Sequence, residues 1–273
     1  MDILLATAVV AVIGLACAIM LVLASKFFAV PEDKTFTDIR ECLPGANCGA
    51  CGYAGCDGYA KALASDDSVS TNLCTPGANA VARQIADILG KEPESVIEQI
   101  AVVRCYGDCN HTVNKMDYVG INSCEAVKTM YGGKGKCGFG CMGLGDCVNA
   151  CPQHAIKLEN GIAHIDPRAC IGCGLCVRTC PQGLIALMAD EERLLVTCSN
   201  KEKGAVARKK CSNACIGCKK CEKNCSTGAI KVENNLASID YSLCTKCGLC
   251  AENCPVGCIL VSDFRGVHKI FEE

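Results

Sequence analysis

The run Cys170-Ile-Gly-Cys173-Gly-Leu-Cys176-Val-Arg-Thr-Cys180-Pro181 constrains the fold more than any other stretch of this chain. Its spacing, C-x2-C-x2-C-x3-C-P, gathers three thiolates on one tight loop and sends a fourth onward with the chain. Cys244, Cys247, Cys250 and Cys254, followed by Pro255, repeat the pattern; Cys215, Cys218, Cys221 and Cys225 repeat it with Ser226 in place of the proline. A loop of this kind binds a [4Fe–4S] cluster through three cysteines, while the fourth ligates the neighbouring cluster. Zinc prefers separated C-x2-C pairs, so iron–sulfur explains these runs better.

The chain is also duplicated. A shift of 74 residues lays 155–185 on 229–259 with 17 of 31 positions identical. The same shift carries Cys124, Cys137, Cys141, Cys147 and Cys151 onto Cys198, Cys211, Cys215, Cys221 and Cys225. Two ferredoxin-like modules of two clusters each are expected, at 136–190 and 191–273. The crossover rule groups Cys215, Cys218 and Cys221 with Cys254; Cys244, Cys247 and Cys250 with Cys225; and Cys170, Cys173 and Cys176 with Cys151. The remaining set is irregular, because Leu144 occupies the place of Cys218. Cys141, Cys147 and Cys180 fit, and Cys137 is the nearest cysteine for the missing ligand. Between the cysteine runs, 155–165 and 229–239 alternate apolar residues about Glu159-Asn160-Gly161 and Glu233-Asn234-Asn235, which predicts two short hairpins. The fold class is α+β.

A different cysteine pattern lies upstream. GANCGACGYAGC (45–56) holds Cys48, Cys51 and Cys56, and Cys74 completes C-x2-C-x4-C-x17-C. This is one more four-thiolate set, in a small helical domain at 28–92; zinc is less easily excluded here. Helices are predicted over 57–64 and 78–89, the second stopped by Gly90. A connecting segment, 93–135, follows. Five clusters are expected, or six if four of Cys105, Cys109, Cys124, Cys198 and Cys211 form another between the modules. The simpler reading is that these, with Cys42 and Cys258, are buried inert thiols.

The N-terminus supplies the second constraint. Ile3 to Ala24 is 22 residues without a charge, about 33 Å as a helix against a hydrocarbon core of about 30 Å. Residues 1–27 therefore read as a transmembrane anchor. The Met-Asp start lacks the basic n-region of a signal peptide. Lys26 and Lys34, with Glu32 and Asp33 between them, give a weak bias that leaves the remainder in the cytoplasm. That compartment keeps thiols reduced, so 28 cysteines speak for metal over disulfides. With only 12 aromatic residues, metal rather than large rings is expected to stabilise the modules. A net charge of −2 gives no sign of nucleic acid.

Anchor, GANCGACGYAGC…C and CP-type ferredoxin runs, in that order, resemble the B subunit of the Rnf complex, the ion-translocating ferredoxin:NAD+ oxidoreductases of bacterial membranes. The likeness covers essentially the whole chain, although shorter family members have a single two-cluster module. It implies a single-pass protein of the inner (cytoplasmic) membrane with its clusters in the cytoplasm. There it would take electrons from reduced ferredoxin and pass them to membrane and flavin subunits that reduce NAD+ and pump Na+ or H+. No G-x-G-x-x-G sits on a strand–helix turn and no nucleophile–base pair is present, so the chain reads as a carrier without a substrate-transforming site of its own. Lys201, Lys203, Arg208, Lys209, Lys210, Lys219, Lys220 and Lys223 form a basic stretch. It suits an acidic ferredoxin, or simply offsets the negative clusters. A polyferredoxin of a hydrogenase or formate dehydrogenase type complex, and an iron–sulfur redox sensor, are the competing functions. The sensor lacks any recognisable effector element in the sequence.

Overall fold

The computed structural model describes residues 2–27, 34–189 and 194–261. Helix α1 (Asp2–Phe27) comes first. Its side chains are described from 11 to 25, and nearly all are exposed. Among the described residues no helix is long and apolar enough to cross a membrane. The expected span is therefore carried by the sequence alone. Of the charges behind it, Glu32, Asp33 and the side chain of Lys26 lie outside the described residues.

Helices α2 (Lys34–Cys42), α3 (Cys56–Ser65) and α4 (Ala78–Leu89) form a small domain. Its apolar stripes are spaced by helical period: Tyr59, Ala60 and Leu63 on α3, and Val81, Ala82, Ile85 and Ala86 on α4. With Ile39 and Leu43 they make a separate core. Each large aliphatic side chain so buried contributes about 1.5–3 kcal/mol. Tyr59 is buried ring-first, and its hydroxyl donates to the Ser70 carbonyl at 2.7 Å. Gly90, at φ 64°, ends α4 by returning its N–H to the Ala86 and Asp87 carbonyls.

The first ferredoxin module contains β1 (Gln99–Val103), α5 (Cys124–Tyr131), α6 (Asp146–Asn149), β2 (Ile156–Glu159), β3 (Ile162–Ile165), α7 (Leu175–Thr179) and β4 (Ile185–Ala189). The second contains β5 (Leu194–Val196), α8 (Gly204–Lys210), α9 (Lys220–Lys223), β6 (Ile230–Glu233), β7 (Leu236–Ile239), α10 (Leu249–Glu252) and β8 (Ile259–Val261). Both predicted hairpins form in one register, with Ile156 opposite Ile165 and Ile230 opposite Ile239. Asn160 and Gly161 take φ 47° and 81°, and Asn234 and Asn235 take φ 50° and 64°. Positive φ at both loop positions is what a two-residue hairpin turn demands, and Asn and Gly tolerate it.

Each module closes on a strand from outside its cysteine runs. β1 pairs antiparallel with β4, and β5 pairs antiparallel with β8. The segment 93–135, expected to be a connection, thus supplies an edge of the first module. Ile100 and Val102 on β1 face Met188 and Leu195, in a core that joins the two modules.

Candidate metal centres

Metal uptake by cysteine requires thiolates held together and out of water. Five groups of thiols gather in this way, most of their members buried or half-buried. In the N-terminal domain, Cys56 opens α3 and Cys74 precedes α4. Burial pushes the Cys74 thiol up to about 11, and the nearby Cys56, Cys51 and Cys48 add to the rise. Asn47 pins the loop by accepting from the Cys56 N–H at 2.9 Å. An Arg40–Asp57 ion pair braces α2 on α3. Cys42 stands apart, half-buried at the end of α2.

In the first module, Cys151, Cys170, Cys173 and Cys176 line one small cavity. Burial pushes Cys176 up to about 11, with Cys170, Cys173 and Cys151 reinforcing it. A second cavity brings together Cys141, Cys147 and Cys180, and its fourth cysteine is Cys124. Cys147, pushed up to about 12 by burial, has Cys141, Cys124 and Cys180 as neighbours. The expectation that Cys137 completes this set is corrected by the geometry. Asp146 explains why: its carboxylate accepts from the Ser123 hydroxyl and from the N–H groups of Cys124 and Glu125, each at 3.0 Å. The start of α5 is thereby clamped to α6, which carries Cys147.

In the second module, burial pushes Cys221 up to about 11, beside Cys215, Cys218 and Cys254. Cys250 is raised chiefly by burial, with Cys244 and Cys247 adjoining. Cys225 follows α9 and packs on the same core as Cys244 and Cys250. Cys258, expected to be inert, is 1% exposed, with its Sγ 3.6 Å from that of Cys254. Hydrogen bonds with Cys215 and Cys254 push the Cys258 thiol up. The same bond lowers Cys215 and Cys254.

The remaining cysteines are not scattered. Cys105, Cys137, Cys198 and Cys211 line a cavity of about 270 Å³ between the modules. Cys109 reaches its rim and is exposed, and Cys124 belongs elsewhere, as described above. The pattern was legible only through the duplication, because Cys198 and Cys211 are the counterparts of Cys124 and Cys137.

Among the described residues no three His, Cys, Asp or Glu side chains converge on a single-ion point. In a cubane each thiolate takes a different iron, so its ligands surround the group instead of meeting at an atom. The donor chemistry fits such clusters. Every group is all-sulfur, and backbone N–H groups aim at the sulfurs: Ala101 at Cys170, Ala155 at Cys151 and Cys141 at Cys105, each at 3.4 Å. Such bonds favour anionic sulfur and tune cluster potential.

Of the basic stretch, Lys201, Lys203, Arg208, Lys209, Lys219, Lys220 and Lys223 are exposed, and Lys219 and Lys220 directly follow the exposed Cys218 in the chain. Lys210 is half-buried and paired with Glu202. Lys219 lies 3.8 Å from Glu222. Arg208, Lys209 and Lys210 occupy the last turn of α8, where cations also suit the helix dipole.

Comparison with known proteins finds iron–sulfur domains along the same chain. Residues 43–76 match an Fe-S cluster family, 136–184 and 169–230 match 4Fe-4S dicluster domains, and 237–260 match a 4Fe-4S binding domain. The chain is 46% identical over 237 residues to the B subunit of the proton-translocating ferredoxin:NAD(+) oxidoreductase complex of Clostridium ljungdahlii, covering 86% of this chain and 84% of the relative. It is 39% identical over 243 residues to the B subunit of the Na(+)-translocating ferredoxin:NAD(+) oxidoreductase complex of Acetobacterium woodii, covering 89% and 73%. A third relative, the B subunit of the ion-translocating oxidoreductase complex of Methanosarcina acetivorans, is 39% identical over 239 residues, covering 87% and 90%.

Proposed function

This chain belongs to the B-subunit family of ion-translocating ferredoxin:NAD(+) oxidoreductase complexes, and from that premise we propose that it is the electron-relay subunit of such a complex. The observation that carries the proposal is the contiguity of the thiol groups. Cys48 of the N-terminal domain adjoins Cys173, and the Arg178 guanidinium donates to the Cys48 carbonyl. Cys176 in turn adjoins Cys147 of the other group in the first module. When bound, [4Fe–4S] clusters supply one-electron chemistry at potentials between about −700 and +450 mV.

The chain's own residues hold, insulate and tune those groups. Cys48, Cys51, Cys56 and Cys74 form the first ligand set. Cys124, Cys141, Cys147 and Cys180, and then Cys151, Cys170, Cys173 and Cys176, serve the first module. Cys215, Cys218, Cys221 and Cys254, and Cys225, Cys244, Cys247 and Cys250, serve the second. Packing of Ile156, Ala163, Ile165 and Ile185 against the first module's cysteines keeps water from the sulfurs.

Electrons enter from reduced ferredoxin at the second module, where Cys218 and Cys247 are exposed and Lys219, Lys220 and Lys223 are close by in the chain. Opposite charge would steer an acidic donor there. The uncharged run of α1 anchors the chain in the cytoplasmic membrane and leaves the cluster domains on the cytoplasmic side. The N-terminal domain, following directly on that anchor, is where electrons leave for the membrane and flavin subunits that reduce NAD+ and move Na+ or H+.

Rapid mixing of the anaerobically purified chain with reduced ferredoxin tests the reading. Bleaching of the iron–sulfur absorbance is expected on mixing. In the Lys220→Glu/Lys223→Glu variant it slows about tenfold at low salt, and the difference disappears as the Debye length shrinks at high salt. An unchanged rate at low salt removes the docking site; no electron uptake by the unaltered chain removes the relay.

A further inference from the structure

Four of the thiols left after the five sets are filled are not leftovers of packing. Cys105 follows β1, Cys137 follows α5, Cys198 follows β5 and Cys211 follows α8. All four line one cavity. The strap that delivers Cys105 is stitched to the second module along its length. Tyr106 N–H donates to the Thr197 carbonyl at 3.1 Å, and Ser212 N–H donates to the His111 carbonyl at 2.9 Å. The Thr112 hydroxyl donates to the Lys210 carbonyl at 2.8 Å.

The cavity wall is shaped for sulfur. Gly107 leaves room that a Cβ would take, since such an atom would stand 3.1 Å from the Cys211 sulfur and 3.8 Å from that of Cys105. Asn200 is fully buried; its backbone N–H points at Cys198 Sγ at 3.4 Å and its side-chain amide at Cys137 Sγ at 3.5 Å. Donors aimed at sulfur favour a thiolate, and a thiolate buried with three others calls for a cation or cluster.

We propose that Cys105, Cys137, Cys198 and Cys211 bind a sixth [4Fe–4S] cluster, which bridges the two ferredoxin modules. The neighbours on either side give it that place. Cys105 Sγ accepts from the N–H of Cys141, a ligand in the first module, at 3.4 Å. Cys198 Sγ accepts from the N–H of Cys215, a ligand in the second, at 3.3 Å. The sixth site thus joins what would otherwise be two separate pairs. A cluster held there would supply one-electron chemistry between the Cys215 and Cys141 sides, with no bond made or broken. A single zinc ion is disfavoured because no three of these thiols converge on a point. The inference rests on the relay reading above.

Iron, sulfide and zinc analysis of the anaerobically reconstituted full chain tests it, with EPR of the reduced protein alongside. About 24 irons and 24 sulfides per chain are expected for six clusters. The pair Cys198→Ala/Cys211→Ala and the pair Cys105→Ala/Cys137→Ala, one from each half of the chain, should each lower the count to about 20 and remove the same EPR component. Cys109→Ala should change neither. About 20 irons in the unaltered chain, one zinc at the site, or deficits that differ between the two pairs overturn the sixth cluster and leave the relay standing. A count far below about 20 in the unaltered chain overturns the relay together with it.

Discussion

The two ferredoxin modules share a hairpin register and a cysteine skeleton, yet their surroundings have pulled them apart. In the first, Leu144 stands where the second has the exposed Cys218, and Cys124 fills the place that Leu144 vacates. In the second no such vacancy exists, and the counterpart Cys198 is released to the cavity between the modules. Cys173 is buried while its counterpart Cys247 is exposed. The copy flanked by other thiol groups has closed its loops, and the copy at the end of the array has kept one side open. Duplication supplied the ligands; position decided which of them each copy uses.

The sharpest way to break this comparison is at Cys124. Cys124→Ala should cost the first module about one to four irons, depending on whether a three-iron remnant survives. Adding Leu144→Cys recreates the arrangement of the second module and should restore them. Iron analysis with EPR reads both variants, and failure of the rescue would mean that the loop around Leu144 cannot turn a thiol inward.

A smaller effect is expected at Gly172 and its counterpart Lys246. Both have left-handed φ, 64° and 60°. A Cβ on Gly172 would collide with the Gln99 carbonyl oxygen of β1, whereas Lys246 already carries one. Gly172→Ala should destabilise the first module by about 2 kcal/mol or more, combining left-handed strain with that clash. Lys246→Gly should stay within about 1 kcal/mol. Iron release under increasing urea ranks the two, and equal losses would show that β1 does not press on this loop.

The smallest effect belongs to Cys258, whose counterpart is Leu184. Its Sγ lies 3.6 Å from that of Cys254, within hydrogen-bond reach. A thiol donating to ligand sulfur would raise a cluster's potential by stabilising the reduced, more negative state. Cys258→Leu should lower the potential of the cluster held by Cys215, Cys218, Cys221 and Cys254 while iron content stays constant. A redox titration followed by EPR measures the shift; an upward shift would contradict the donor role.

Local signals were legible in the sequence wherever neighbours along the chain decide the structure. Asn160-Gly161 and Asn234-Asn235 announce their turns, and Gly90 ends α4 where the helical pattern stops. The two strands contributed from outside the cysteine runs were not legible, because β1 pairs with residues more than 80 positions later. The same reason hid the role of Cys124. Proximity along the chain favours Cys137, but the three hydrogen bonds to Asp146 that place Cys124 form only in the folded module. One clue was available: the loss of a cysteine at Leu144 in a repeat that retained an extra one at Cys124.

The strap from Arg104 to Lys115 has a consequence for how such a chain is made. Cys105 and Cys137 leave the ribosome well before Cys198 and Cys211, so the group they share cannot close until the second repeat has been synthesised and docked. Every other set in the first half can be completed as soon as Cys180 emerges. The junction therefore closes later than every set of the first half, and a chain halted or cleaved between its repeats would keep its early centres and lack the junction between its halves.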